Sequence, residues 1–361
     1  MQTWILKTTG QNSTCSILLG EQVLESLPEI WPKDCGRAAL IGDDEVMALF
    51  GDRIRRALSS CAGQVLSLGF PAGEKSKRRE MKAKLEDQLL AAGFDRQACI
   101  VALGGGVSLD LAGFVAATFK RGLASIYIPT SLLAQVDAAI GGKTGINTEA
   151  GKNLIGAFHM PRAVLIDPSL TLSLPTAEWQ NGLAEMVKHA VIGDAALFSA
   201  MERLALDLRQ PTRISPEMMR SSLEVKIALV REDFLEQGAR AWLNLGHTVG
   251  HGLEGASGYR MAHGLAVALG LFVESRIAAF RGLMSAAEAE RIEDLLKALG
   301  FDLELPFDLD RISPHMKADK KNRDGAIHMV LPVGIGRMGR PRDGGYSYAV
   351  TEDEIREAWP A

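Results

Sequence analysis

Cysteine is scarce and scattered in this chain. Cys15, Cys35, Cys61 and Cys99 all fall in the first hundred residues, and no two form a C-x-x-C pair. Such spacing reads as a reduced, intracellular set of thiols. A basic stripe is missing too: 40 Lys and Arg against 44 Asp and Glu leave a net charge of -4, with the signs interspersed. A nucleic-acid partner is therefore not expected, and an anionic small molecule has to be caught by a local cluster of cations. The opening MQTWILKTTGQNST lacks a basic segment followed by an apolar run, and the stretch around GLAVALGLFV is about half of what a membrane span needs. A soluble cytoplasmic protein with no membrane partner is the expectation.

The chain does have ample core. Of 361 residues 47% are hydrophobic and 23% charged, enough for two domains. Short apolar runs alternate with helical stretches through the first half: AALIG, VLSLGF, ACIVALGGG, SIYIPT and AVLID are the runs. Near-continuous apolar strands between helices predict a parallel sheet covered on both faces, with ligands beyond the carboxyl ends of its strands. After about Leu170 the pattern turns helical, as in AEWQNGLAEMVKHAVIG and PEMMRSSLEVKIALVRED, and IHMVLPVGIGRM is a late hairpin candidate. The fold class predicted is an α/β Rossmann-like domain over 1–169 and an all-α domain over 170–361.

Two glycine-rich segments stand out. ACIVALGGGVSLDLAG runs from a buried strand through Gly104, Gly105 and Gly106 into a helix that carries Asp110. Glycines let a backbone approach a ligand closely and a helix N-terminus favours phosphate, although the G-x-G-x-x-G fingerprint is absent and a plain tight turn reads the same way. IPTSLLAQVDAAIGGKTGINTEAGKNLIGAF reads as a long glycine-punctuated loop holding Asp137, Lys143, Lys152 and Asn153. Loops of that length with such charges are commonly functional, and a solvated surface loop is the alternative.

Histidine is concentrated instead of spread: His247, His251 and His263, three of seven, lie within one short span. A catalytic zinc site takes three ligands from His and carboxylates and leaves one position open. His247 and His251 are an i, i+4 pair on one helical face, and NGLAEMVKHA offers Glu185, Lys188 and His189. Just upstream, KIALVREDFLEQGARAWLN supplies Lys226, Glu236, Arg240 and Asn244, which suit a carboxylate or phosphate and equally suit an exposed, charge-paired helix.

Taken in order, GGGVSLDLAGFVAATFKRG, IPTSLLAQVDAAIGGKTGIN, GKNLIGAF, GLAEMVKHA, LNLGHTVGH, HGLAVALG and MKADKKNRDG resemble the dehydroquinate synthase family of sugar phosphate cyclases, from about Asp43 to Gly336. The resemblance implies a Rossmann-like domain and a helical domain with the site in the cleft between them. It implies NAD and a divalent metal, zinc or alternatively cobalt. The metal ligands implied are Glu185, His247 and His263, so the i, i+4 pair is divided and His251 goes to the substrate. Lys226, Arg240 and Asn244, with Glu236 beside them, are implied at the substrate carboxylate. Lys143, Asn153, Lys188 and Lys320 or Lys321 are implied on the phosphate and hydroxyl side, and Asp137 is a further substrate-binding candidate. Arg121 of FKRG is implied to reach the phosphate from a partner subunit, which makes the assembly a homodimer. NAD is implied at Gly105, Gly106, Asp110, Thr130, Ser131 and Lys152, with Glu74 and Lys77 of PAGEKSK near its adenosine half; Asp43 stands where a carboxylate takes the ribose hydroxyls.

The reaction implied converts 3-deoxy-D-arabino-heptulosonate 7-phosphate to 3-dehydroquinate and phosphate, through transient oxidation by NAD, phosphate elimination, re-reduction and intramolecular aldol closure. This chain departs from the family's pattern in HGLAV, where Leu265 replaces the usual glutamate, in GINTE, and at Asp233-Phe234. Loss of a carboxylate that orients a metal ligand lowers metal affinity roughly ten- to a hundredfold. The rival readings are a cyclase acting on another sugar phosphate, a metal-dependent NAD polyol dehydrogenase, and an inactive binding or regulatory relative.

Overall fold

The computed structural model describes residues 1–7, 13–149, 151–206, 214–317 and 326–359. It divides into two compact units, Met1–Leu174 and Pro175–Ala361. The composition shift near Leu170 falls inside the first of these. There the Pro168–Thr171 turn is capped by Asp167, which accepts from Ser169 N–H at 3.0 Å, and Leu170 packs into the core of the sheet.

The first unit is built on a seven-stranded sheet. Its strands are β1 (Gln2–Lys7), β2 (Thr14–Leu19), β3 (Arg37–Asp43), β4 (Gln64–Phe70), β5 (Ala98–Gly104) and β6 (Ala124–Pro129). After a two-stranded ribbon, β7 (Lys143–Thr148) and β8 (Gly151–Phe158), comes the last sheet strand, β9 (Ala163–Ile166). The order is β1-β2-β9-β6-β5-β3-β4, parallel throughout except for the β1–β2 pair. Every residue of β5 and β9 is buried, the burial that the unbroken apolar runs anticipate. The chain steps from β3 out to β4, then crosses back to β5 on the other side of β3. Neighbouring connections therefore diverge between β3 and β5, and the carboxyl ends of those two strands form the switch point at which open α/β sheets bind ligands.

The long glycine-punctuated segment is not a loop. Ser131 starts a helical turn that continues over Ala134–Ala138, and β7 and β8 then pair antiparallel from Lys143↔Phe158 to Thr148↔Gly151. Glycine hides this ribbon in the sequence because Gly145 pairs with Gly156 and the two backbones meet without side chains between them.

The second unit is mostly helical: Thr176–Gly193, Ala195–Leu206, Pro216–Glu232, His247–Ala256, His263–Phe280, Ala286–Ala298, Leu309–Lys317 and Glu352–Ala358. Small ribbons supplement the helices. Pro332–Gly334 pairs with Arg337–Met338 as the hairpin reading anticipates, but Ile327–Met329 pairs instead with Tyr348–Val350. The apolar run around GLAVALGLFV belongs to a helix of 18 residues, His263–Phe280, longer than the run itself. That helix is apolar enough to cross a membrane by composition, yet 72% of it is buried within the protein and Glu274 lies inside it, the properties of a core helix.

Candidate active site

At the switch point the backbone turns sharply. Gly104 ends β5 with φ +140°, and a Cβ there would stand 2.6 Å from Ser108 Oγ. Ser108 donates to Asp43 Oδ2 at 3.0 Å, and Asp43 Oδ1 accepts from Val46 N–H at 3.0 Å, so the carboxylate that ends β3 is fixed beside the glycine turn. From the next strand, Thr130 N–H donates to the Gly104 carbonyl at 3.0 Å, and a Cβ on Gly105 would lie 3.5 Å from Ser131 Oγ. Asp43, Gly105, Gly106, Thr130 and Ser131 thus share the carboxyl edge of the sheet. Gly106 opens a 13-residue helix there, and its free N–H groups suit a pyrophosphate.

A second group borders this turn. Lys77, buried, lies 2.5 Å from Asp110 Oδ2 and donates to Asn153 Oδ1 at 2.5 Å. Asn153 takes a left-handed φ of 56°, its N–H donates to Asn147 Oδ1 at 3.0 Å, and Asn147 Nδ2 donates to Glu74 Oε1 at 2.6 Å. Glu74, Lys77, Asp110 and Asn153 are therefore one hydrogen-bonded chain. Burial pushes the Asp110 carboxyl upward, and the Lys77 ammonium and the charge of Lys143 work against that shift. Lys143 is exposed at the start of β7, Lys152 half-buried on β8, and Asp137 half-buried in the Ala134–Ala138 turn.

In the second unit three donors converge. Glu185 Oε1 stands 3.5 Å from His247 Nε2 and 3.2 Å from His263 Nε2. Donor atoms of Glu185, His247 and His263 all lie within 4.8 Å of one another. A tetrahedral ion with bonds of about 2.0–2.2 Å separates its ligands by about 3.4 Å, so the set has the size of a zinc or cobalt site. His247 Nδ1 donates to the Leu245 carbonyl at 3.1 Å, which leaves Nε2 as the lone-pair nitrogen that a metal requires. Burial and then the Lys188 ammonium hold the His247 ring well below its ordinary range, hence neutral. For His263 burial also opposes charge, but the carboxylates of Glu185 and Glu254 outweigh it and push the ring up to about 10. Lys188, one turn beyond Glu185, pairs with its other carboxylate oxygen, while His189 is tied to Ser222 Oγ at 2.8 Å.

Both histidines open their helices, and neighbouring side chains secure both ends. Asn181 Oδ1 accepts from Gly264 N–H at 2.8 Å, and Glu274 Oε2 accepts from Gly246 N–H at 2.6 Å. The helices come close because Gly270 lies against Gly246, where a Cβ would stand 1.8 Å from the Gly246 carbonyl oxygen. His251 follows His247 by one turn, exposed, with ring centroids 5.3 Å apart, and takes no part in the three-donor set.

Of the other cations, Lys226 and Arg240 are buried and Arg240 Nη1 donates to the Phe234 carbonyl at 2.5 Å. The Asp233 carboxylate organises this turn, accepting from Gln237, Gly238 and Arg240 N–H at 2.9, 2.7 and 3.1 Å, and Phe234 is buried. Asn244 Nδ2 donates to Glu236 Oε1 at 2.9 Å, so Glu236, Arg240 and Asn244 share one structure. Arg121 does not join the glycine turn: the Gly106–Thr118 helix carries the chain about 20 Å back to the amino edge of the sheet, where Arg121 is exposed. Lys320 and Lys321 lie outside the described residues. Asn181, Glu254 and Glu274 escaped sequence reasoning. Only Glu254 left a trace, as the third member of an i, i+4, i+7 face with His247 and His251.

Residues 67–181 match the family description "3-dehydroquinate synthase N-terminal" and residues 182–322 match "3-dehydroquinate synthase C-terminal". A 3-dehydroquinate synthase of Desulforamulus reducens is 41% identical over 306 residues, which are 84% of this chain and 85% of the relative. Among solved structures, a 2-deoxy-scyllo-inosose synthase complexed with carbaglucose-6-phosphate, NAD+ and Co2+ is similar with a TM-score of 0.87 and 27% identity, covering 99% of this chain and 98% of that one. A 2-epi-5-epi-valiolone synthase from Streptomyces hygroscopicus subsp. jinggangensis with NAD+ and Zn2+ bound has a TM-score of 0.84 and 28% identity, covering 98% of each.

Proposed function

Because the chain belongs to the 3-dehydroquinate synthase family, we propose that it converts 3-deoxy-D-arabino-heptulosonate 7-phosphate into 3-dehydroquinate and inorganic phosphate, a step of the shikimate pathway to aromatic amino acids. It is an enzyme of the sugar phosphate cyclase type, a phosphate-eliminating carbon–oxygen lyase that uses NAD and a divalent metal ion. The convergence of Glu185, His247 and His263 carries this reading. When bound, NAD supplies a hydride acceptor that ends the turnover unchanged, and the metal ion supplies a Lewis acid for a substrate oxygen.

The chain's own residues hold and orient. Glu185, His247 and His263 hold the ion. The carboxyl edge of the sheet holds NAD: the Gly106–Thr118 helix N-terminus takes its pyrophosphate, Asp43 its ribose hydroxyls, and Glu74, Lys77, Asp110, Thr130, Ser131 and Lys152 surround it. Lys226, Arg240 and Asn244 hold the substrate carboxylate, with Glu236 fixing the Asn244 amide. His251, exposed beside His247, hydrogen-bonds the substrate, and Asp137 is a further substrate-binding residue. Lys143, Lys188, Asn153 and a lysine of Lys320 and Lys321 hold the phosphate and the neighbouring hydroxyls, joined by Arg121 of the partner subunit. Phosphate departs readily when cations hold its charge and its own oxygen stands near the leaving proton, so these residues act by placement without a dedicated general base. The enzyme works in the cytoplasm as a homodimer; the free thiols Cys15, Cys35, Cys61 and Cys99 support a reducing compartment.

A second reading, a cyclase for another sugar phosphate, draws on the two solved cyclases, but their identity of 27–28% is well below the 41% of the 3-dehydroquinate synthase relative. Phosphate release and NADH absorbance followed together, with and without chelator, test the function. Metal-dependent phosphate release from the heptulosonate phosphate without net NADH is expected. Release from a hexose 6-phosphate instead would transfer the assignment to the second reading, and net NADH from a polyol would make the protein a dehydrogenase.

A further inference from the structure

Glu254 lies two turns along the helix that His247 opens and is 3% exposed. Its Oε1 stands 3.6 Å from Nδ1 of His263, the ring nitrogen opposite the one that faces Glu185 at 3.2 Å. His263 is thus flanked by a carboxylate on each side, one from each of two other helices. The approach is built in: Gly250 lies against the neighbouring helix so closely that a Cβ would stand 2.9 Å from the Ala266 carbonyl oxygen. Leu265, two residues beyond His263, brings no acceptor of its own.

We propose that Glu254 is a positioning residue of the metal centre: its carboxylate holds Nδ1–H of His263, fixes the ring's tautomer and rotation, and presents Nε2 beside Glu185 Oε1. The inference rests on the reading of Glu185, His247 and His263 as the ligand set. A carboxylate on the far nitrogen of a ligating imidazole orients the ring and raises its basicity, and in this chain Glu254 fills that role. The cross-ties are reciprocal between the His247 and His263 helices, with one more from the Glu185 helix. Asn181, from the Glu185 helix, caps the His263 helix; Glu274, from the His263 helix, caps the His247 helix; and Glu254, from the His247 helix, holds the His263 ring.

The test uses the full-length chain, stripped by chelator and refilled with Zn2+ or Co2+, as parent, Glu254→Gln, Glu254→Asp and His263→Ala. Zinc affinity is read by competition with a chromophoric chelator, site geometry by the visible Co2+ spectrum, and integrity by NAD binding and by urea unfolding of the metal-free form. Glu254→Gln should lose roughly ten- to a hundredfold in zinc affinity and change the Co2+ spectrum, with NAD binding as in the parent. Glu254→Asp, which keeps the charge, should recover part of the affinity; it also serves as the test if the glutamine variant does not fold. Parent-like affinity and spectrum in both Glu254 variants, with zinc lost from His263→Ala, would overturn the proposal alone, as would lowered unfolding with unchanged affinity. Parent-like zinc binding by His263→Ala would overturn the ligand set itself.

Discussion

The buried carboxylate of Glu274 accepts a hydrogen bond of 2.6 Å from the backbone N–H of Gly246, the residue before His247. It also accepts from Val249 N–H at 3.3 Å, so it caps a helix whose first residue, His247, belongs to the proposed ligand set. Negative charge at a helix N-terminus is favourable, and here it also balances the positive helix end that a bound cation would face. Glu274→Gln keeps the shape but removes the charge and turns a donor toward backbone donors. Metal-free protein should lose about 1–3 kcal/mol of stability in urea, and zinc should bind more weakly because the turn that carries His247 loosens. An unchanged unfolding midpoint would show that the cap contributes nothing.

Lys77 gives a prediction on the cofactor side. Its side chain is 5% exposed and its ammonium is shared by Asp110 and Asn153. Lys77→Met leaves the Asp110 carboxylate, already pushed upward by burial, without the cation that opposes the shift. Breaking a buried pair from one side costs about 3–5 kcal/mol, and the 21% exposure of the Asp110 side chain puts this case at the low end. The loss should appear in thermal unfolding, together with weaker NAD binding in titration. Weaker NAD binding without lost stability would mean that Lys77 meets NAD alone and that its pairing with Asp110 adds nothing to the fold.

The strands were readable because burial on both faces leaves its mark residue by residue: Ala98–Gly104 is apolar or glycine throughout and buried throughout. The β7–β8 ribbon was not, since glycines such as Gly145 and Gly156 erase the alternation that marks a strand. At the site, the histidines drew attention by their density, whereas choosing His263 over His251 as a ligand required the family resemblance. Local spacing favoured His251, but the three-donor set that the structure assembles contains His263. The cross-ties are a different case. Lys77 and Asn153 are 76 residues apart and Glu274 and Gly246 28 apart, and no local pattern records partners that only the packing of helices and ribbons brings together. A buried glutamate reads in sequence like any exposed one.

Acid should expose another pair. Arg281 clamps Glu354 through Nε at 2.8 Å and Nη2 at 2.6 Å, and the Thr351 cap adds to it. The guanidinium first, against some burial, draws the Glu354 carboxyl down from 4.5 to about 2. A carboxyl depressed in the folded state contributes stability above its unfolded value and loses it as pH falls through the folded one. The contribution is thus complete above about 4.5 and gone below about 2. Glu354→Gln should therefore be less stable than the parent at neutral pH by about 1–3 kcal/mol, with the two converging toward pH 2. Urea midpoints measured across that range decide it, and parallel curves would show that Glu354 titrates normally.

Arg121 combines a strained backbone with a proposed role at the phosphate. Lys120 and Arg121 both hold left-handed φ angles, 50° and 70°, immediately before Gly122. Arg96 Nε donates to the Lys120 carbonyl at 3.1 Å and Leu123 N–H to the Ala116 carbonyl at 2.8 Å, which keeps the turn in place. A side chain in that region costs roughly 1–2 kcal/mol that glycine avoids, and a residue kept there against the cost points to a role beyond the fold. Arg121→Gly should raise stability by about 0.5–1 kcal/mol after the extra entropy of glycine in the unfolded chain is counted. Turnover should fall in the same variant, and in Arg121→Ala, while NAD binding stays near that of the parent. Thermal unfolding, steady-state kinetics and NAD titration on both variants separate the outcomes. Lost NAD binding would assign Arg121 to the cofactor, and full turnover in the stabilised glycine variant would leave the strain without a function.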